Sequence, residues 1–252
     1  MPEHNGSELL PALPDADWRR VLCVVAHPDD MEYGASAAVA TWTARGIEVA
    51  YLLLTAGEAG MADPPETVGP LREREQRQAC AQVGVRYLTV LRHPDGMLEP
   101  GLPLRRDVAR EVRRFRPDAV LTAAFGVEAY GGLNQADHRA AGRSAVDGTR
   151  DADNRWVFRE LAETENLPPW HTRWLLVTGD DRPTHALAVT EPAVQAGIAS
   201  LRSHAAYLSN LPHHPDPGEL ISGILRRGGA AAGTEYAALF RAFDLGGLAG
   251  ND

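Results

Sequence analysis

The sequence predicts an α/β fold, a mostly parallel sheet flanked by helices on both faces in a three-layer α/β/α arrangement. Two observations predict it. Short apolar runs rich in β-branched residues recur at 21–26, 47–55, 85–91 and 118–125, which is the signature of strands buried on both faces. Between them lie stretches with helical spacing, so strand and helix alternate as right-handed βαβ units require. The chain of 252 residues is long enough for one large domain with a full core. No linker or repeat divides it, so residues 1–252 read as a single domain. Residues 1–18 form an N-terminal extension and 211–252 a C-terminal helical extension.

Each element has its own signal. Ala35 to Arg45 is Ala-rich with helical spacing, and Gly46 is placed to end it. Ile47 to Thr55 reads as a second strand, running into the small residues and glycines of 56–60. A loop with two prolines, Met61 to Gly69, precedes a charged amphipathic helix over Pro70 to Val83. Val85 to Leu91 is a third strand and Leu104 to Arg116 a third helix, stopped by Pro117. Asp118 to Phe125 is a fourth strand. A Gly-rich stretch, 126–133, leads into a helix from about Asn134 to Arg150. Asp151 to Trp170 reads as a polar connection, Arg173 to Thr178 as a fifth strand and His185 to Thr190 as a sixth, antiparallel one. Pro192 to Leu208 is predicted helical, Asn210 to Gly218 a loop, and Glu235 to Phe243 a short final helix. The sheet is thus Rossmann-like. The dinucleotide fingerprint Gly-x-Gly-x-x-Gly is absent after the first strand, so no nicotinamide site is read.

Composition excludes several functions. The net charge is −9, which argues against a general binder of nucleic acid or acidic membranes. All 25 basic residues are arginine, so neither a Schiff-base lysine nor a P-loop lysine exists. No run approaches the ~18 apolar residues of a membrane helix. The N-terminus lacks the basic and apolar regions of a signal peptide, and a cytoplasmic location is the default. Cys23 and Cys80 form no framework and read as small buried hydrophobes.

The first strand stops at His27-Pro28-Asp29-Asp30, because proline cannot extend a ladder. Three polar side chains then crowd the carboxyl end of a strand, the edge where open α/β sheets bind ligands. A His and an Asp three residues apart could hold one metal ion, leaving the other Asp to hydrogen-bond a water on the metal. Pro and Asp are also turn formers, and His-Pro-Asp recurs at 93–95 and 214–216. Only the first copy follows a clear strand, ends in a second Asp and leads into a helix. The copy at 214–216 reads as a turn. Asp137-His138 follows the fourth strand as the first motif follows the first. In a doubly wound sheet the two strand ends can lie side by side and complete a three-ligand site with open positions. The plainer alternative is that His138 caps a helix.

In these motifs the chain resembles the LmbE-like, or PIG-L, family of zinc-dependent de-N-acetylases. The likeness spans residues 20–210. It rests on Ala26-His27-Pro28-Asp29-Asp30-Met31-Glu32-Tyr33-Gly34, Leu54-Thr55-Ala56-Gly57-Glu58-Ala59-Gly60, and Arg72-x-x-Glu75 with Gly84. It continues in Pro94-Asp95-Gly96, Asp137-His138-Arg139-Ala140-Ala141-Gly142 and Ala199-Ser200-Leu201-Arg202-Ser203-His204. The resemblance implies one zinc ion held by His27, Asp30 and His138, with Asp29 as general base. It implies that Arg72 and Asp95 contact sugar hydroxyls. Where the family has a further His, this chain has Gln135, which can donate a hydrogen bond to an oxyanion but cannot usefully give up a proton. The family's late Lys is Gly197 here, and its Ser-Gln is Ala206-Tyr207. Asp137 and His204 are candidates to assist the chemistry. From position alone, Tyr130 and Asn134 are candidates for polar contacts to substrate.

The implied activity is hydrolysis of an N-acetyl or related N-acyl group from an amino-sugar or glycoconjugate substrate. A homo-oligomer is compatible with it. One alternative is an amidase on thiol-conjugated amino sugars; another is a non-catalytic sugar-binding relative. Retention of Asp29 favours an enzyme, since a mere binder needs no acid beside the metal.

Overall fold

β1 (Arg20–Val25) runs through the middle of the sheet, with every residue from Val21 to Val25 buried. Its side chains alternate between two cores. Val21, Cys23 and Val25 face one cluster, while Leu22 and Val24 face the other. A strand covered on both sides must be apolar at every position, which is why no polar alternation marked this run. The computed structural model describes residues 9–246.

The elements that follow are α1 (Ser36–Ala44), β2 (Glu48–Leu53), α2 (Pro65–Gln82), β3 (Tyr87–Val90), α3 (Leu102–Phe115) and β4 (Ala119–Ala123). A small hairpin, β5 (Glu128–Ala129) and β6 (Gly132–Leu133), precedes α4 (Ala136–Asp153) and α5 (Arg159–Glu163). Then come β7 (Trp174–Thr178), β8 (His185–Ala188), α6 (Glu191–Arg202), α7 (Ala205–Ser209), α8 (Pro217–Ala232) and β9 (Ala237–Asp244). Among the described residues the main sheet has seven strands in the order β3-β2-β1-β4-β7-β9-β8. The first five are parallel, with Val21 opposite Val49 on one side and Ala119 on the other.

Helices cover both faces. Ala37, Val39 and Trp42 of α1, Val194 and Ile198 of α6, and Ile221 and Leu225 of α8 share the core of Val21 and Cys23. Val108 and Val112 of α3 and Ala141 and Ala145 of α4 pack on Leu22 and Val24. The three-layer α/β/α reading therefore describes the molecule. Among the described residues no helix is long and apolar enough to cross a membrane.

Five sequence expectations need correction or completion. The final helix expected over Glu235–Phe243 is the strand β9, which inserts antiparallel between β7 and β8. Alanine-rich Ala237–Asp244 has no decisive period; the open hydrogen-bonding edge of β7 makes it a strand. The antiparallel member is β9, so β8 runs with the parallel set. The helix α8 falls in the expected C-terminal helical extension, but no bounds were read for it because four glycines interrupt it. The third His-Pro-Asp is more than a turn: Asp216 caps α8, its Oδ1 accepting the backbone N–H groups of Gly218 and Glu219. Finally, α2 begins at Pro65, one turn earlier than expected, with Pro70 inside it.

Of the N-terminal extension, residues 1–8 lie outside the described residues. In the remainder, Leu13 and Trp18 are buried in the main core, and Asp15 accepts hydrogen bonds from Trp42 Nε1 and Arg45. Cys23 and Cys80 are buried and unbridged.

Candidate metal centre

The order β3-β2-β1-β4 places the topological switch point between β1 and β4, and ligands of open α/β sheets bind outside the carboxyl ends of the strands there. The two sequence motifs sit at those two ends. The loop after β1 folds back on itself: Asp30 Oδ2 accepts the backbone N–H groups of Ala26 (3.0 Å) and His27 (2.9 Å). That fixes the carboxylate and leaves Oδ1 facing outward. Oδ1 lies 3.1 Å from His138 Nε2 and 3.7 Å from His27 Nδ1. One ligand atom from each of His27, Asp30 and His138 falls within 4.8 Å of the others, so the three could hold one metal ion.

Each imidazole is oriented from behind. His27 Nε2 lies 2.9 Å from Asp95 Oδ1 and 3.4 Å from Asp137 Oδ2. Its proton therefore belongs on Nε2, and Nδ1 offers its lone pair. His138 Nδ1 lies 3.0 Å from Asn134 Oδ1. The Asn134 Nδ2 donates to the carbonyls of Ala124 (2.8 Å) and Gly126 (3.1 Å), so Oδ1 must be the acceptor and His138 carries its proton on Nδ1. His138 Nε2 then offers the lone pair. Such outer partners set tautomer and basicity in metal sites.

His27, Asp95 and Asp137 form a second possible cluster. Their carboxylates are already engaged: Asp137 accepts from the N–H groups of Gly96 and Leu98, and Asp95 from those of Ala59 and the hydroxyl of Thr55. They read better as supports for His27 than as ligands. Burial alone would lower the His27 pKa, but Asp30, Asp137 and Asp95 raise it to about 12. Burial would raise Asp30, yet His27 and His138 hold it well below the usual carboxylate range. The carboxylates of Asp30, Asp137 and Asp95 thus favour a cation at His27, a proton or a metal ion competing for the same Nδ1 lone pair.

Asp29 stands apart from these three. It is 4% exposed, with a left-handed backbone (φ 83°) that non-glycine residues seldom adopt. Its N–H donates to Gln76 Oε1 (2.9 Å). Arg72 Nη2 lies 3.2 Å from Asp29 Oδ1 and donates to the carbonyl of Pro28 (2.7 Å). Among the described residues Asp29 Oδ2 has no hydrogen-bond partner. Burial pushes this carboxyl above the ordinary range, with Arg72 opposing. A proton acceptor with a raised pKa and a free oxygen is what general-base work needs.

The remaining expected residues fall in varied places. Arg72 is buried, stacked 3.8 Å from the Tyr207 ring centre and bonded to the carbonyl of Gly57. Gly57 is required there: a Cβ would meet the Arg72 guanidinium at 2.3 Å. Arg72 thus clamps the Pro28–Asp29 turn. Gln135 is the exposed N-cap residue of α4, and its side chain makes no capping bond. Tyr130, at the tip of the β5–β6 hairpin, is exposed and packs against Gly179. His204 is fully buried; among the described residues neither ring nitrogen has a hydrogen-bond partner, and Nε2 lies 3.9 Å from Glu32 Oε2. Burial, then the charge of Arg72, lowers its pKa to about 3, so it is a neutral ring. Glu32 is pushed up to about 7, chiefly by burial, against hydrogen bonds from Ser200 and Gln76.

Sequence reasoning missed Gln76. The available signal was its place one turn after Arg72 on the same face of α2, where both reach the loop carrying Asp29.

The family model for PIG-L, GlcNAc-PI de-N-acetylase, matches residues 22–148. The probable N-acetyl-alpha-D-glucosaminyl L-malate deacetylase 2 of Bacillus anthracis is 31% identical over 198 residues, covering 75% of this chain and 81% of its own. A 1D-myo-inositol 2-acetamido-2-deoxy-alpha-D-glucopyranoside deacetylase of Kineococcus radiotolerans is 31% identical over 254 residues, covering 76% of this chain and 69% of that protein. Among solved structures, N,N'-diacetylchitobiose deacetylase from Pyrococcus horikoshii matches with a TM-score of 0.81 over 92% of this chain and 86% of its own. At 21% identity that likeness is one of fold.

Proposed function

Because the chain belongs to the PIG-L family of de-N-acetylases, we propose that it is a zinc-dependent hydrolase removing an N-acetyl or related N-acyl group from an amino-sugar substrate. The observation that carries this reading is the meeting of His27, Asp30 and His138 at the switch point, with Asp29 next to Asp30 in the chain and one of its oxygens unpaired among the described residues. Two imidazole nitrogens and one carboxylate oxygen are the donor set of a catalytic zinc site, with positions left for water and substrate. When bound, zinc would polarise the amide carbonyl and lower the pKa of a water toward about 7.

The side chains supply the rest. Asp29 takes the proton of the attacking water on Oδ2 and hands it to the departing amine nitrogen, since one residue can serve as base and then acid. Arg72 and Gln76 hold its other oxygen and its backbone, so only Oδ2 is free to act. Gln135, exposed at the N-cap of α4, donates a neutral N–H to the developing oxyanion. Asp95, Asp137 and Asn134 act behind the ligands by fixing the two imidazoles. His204, neutral and enclosed, packs under Glu32 and takes no proton from substrate.

The test is metal content together with acetate release from N-acetylated amino sugars, followed by His138→Ala. The wild type should hold one divalent ion per chain and release acetate, and the variant should lose both while the sheet stays folded by circular dichroism. A protein that neither carries nor accepts zinc would sink the reading. A parallel panel of thiol-conjugated amino sugars separates the amidase alternative.

A further inference from the structure

A cavity of about 640 Å³ opens directly beside Asp30 and His138, and most of its far wall is apolar. That wall comes from α8 and β9, both outside the residues matched by the family model. Leu220 and Ile224 of α8 and Leu239 of β9 line it, and all three are only partly buried. Helix α8 carries two adjoining apolar stripes. Ile221 and Leu225 fill the main core, while Leu220 and Ile224, one residue earlier in each turn, border the cavity. Leu220 still packs partly against the main core, whereas Ile224 lies outside both core clusters. The wall is held close by Gly228, where a Cβ would fall 2.1 Å from the carbonyl oxygen of Ala237.

Resting on the reaction proposed above, we propose that this cavity is a subsite for an apolar substituent of the substrate, a chain of several carbons placed near the scissile amide. Its volume is that of a small-molecule site, about 300–1,000 Å³, and an acetyl group would fill only a corner. Its polar lining, Tyr33, Thr178, Asp180 and Arg227, can serve sugar hydroxyls, but a hydroxyl set against Leu220, Ile224 and Leu239 exchanges water for an apolar neighbour. An alkyl chain gains there what it loses nowhere else. The chain can reach the cavity as the acyl group itself or as the aglycone of the sugar; the chemistry recognised is the same.

The experiment uses the zinc-loaded full chain and two substrate series. One runs from N-acetyl- to N-hexanoyl-glucosamine; the other compares the methyl and hexyl glycosides of N-acetylglucosamine. In at least one series kcat/KM should rise by tenfold or more, since each fully buried methylene is worth up to about fourfold. Which series rises identifies the source of the chain. Ile224→Gln should remove most of that rise, read as the ratio of long to short substrate. No rise in either series, or a rise that Ile224→Gln leaves intact, overturns the subsite. If no substrate is cleaved, the reaction reading fails by itself. Calorimetric binding of hexyl β-D-glucoside, present in the wild type and lost in Ile224→Gln, would then still support the subsite, and its absence would overturn it.

Discussion

Asn134→Ala separates the metal centre from the fold that carries it. Asn134 makes three bonds: it accepts from His138 Nδ1 at 3.0 Å and donates to the carbonyls of Ala124 and Gly126. Truncation frees the His138 ring to rotate and to move its proton to Nε2, the atom that faces Asp30. Loss of an outer partner of this kind weakens metal affinity about ten- to a hundredfold, which is roughly 1.4–2.7 kcal/mol. The same truncation leaves two carbonyls unpaired and should cost about 1–3 kcal/mol of stability where they stay dry. The two losses have different readouts: zinc affinity by chelator competition, and the melting temperature in chelator. Asn134→Asp pulls them apart. Its carboxylate still accepts from His138 Nδ1, so affinity holds, but its second oxygen faces two carbonyl oxygens and stability falls. An Asn134→Ala protein that binds zinc with wild-type affinity would refute the tautomer assignment and the orientation of His138.

Three further outcomes follow from the same geometry. Asp29→Asn should lower turnover by about a hundredfold or more while zinc stays bound, because the amide keeps the shape and loses the basicity; steady-state rates with metal analysis decide it, and a near-normal rate would move the base elsewhere. Gln135→Ala should cost about ten- to a thousandfold in kcat, the scale of one oxyanion donor, and Gln135→His should add an ionisation near neutrality to the pH profile; a silent alanine variant with an unchanged histidine profile removes Gln135 from the reaction. His204 governs acid stability. The unfolded chain protonates it from its ordinary value of 6.5 downward, whereas the folded protein resists until about 3, so its contribution is lost as pH falls through that window. Glu32, raised to about 7, has the opposite slope between 4.5 and 7, so the His204 effect stands out below 4.5. There, denaturant titrations of His204→Phe should show a shallower loss, by up to about 1.4 kcal/mol per pH unit; an unchanged slope would mean that the ring is not buried neutral.

The sequence by itself determined the parallel half of the sheet and the approach of its two motifs. Val21–Ala26 and Asp118–Phe125 could be read because a strand buried on both faces admits only apolar residues, and His27-Pro28-Asp29-Asp30 because proline ends such a strand with its polar groups at the edge. The antiparallel edge was decided by the tertiary structure. Ala237–Asp244 carries no period of its own, and it is a strand only because β7 and β8 present hydrogen-bonding edges for it. Helix α8 lies in the expected helical extension, but its bounds were hidden, since its glycines lower helical preference and make sense only where Gly228 meets the carbonyl of Ala237. The same divide runs through the site. Identity and spacing marked His27, Asp29, Asp30 and His138, but which nitrogen each imidazole presents depends on Asp95, Asp137 and Asn134. Those partners arrive from other loops, and hydrogen bonds across such distances are set by packing, which local sequence does not encode.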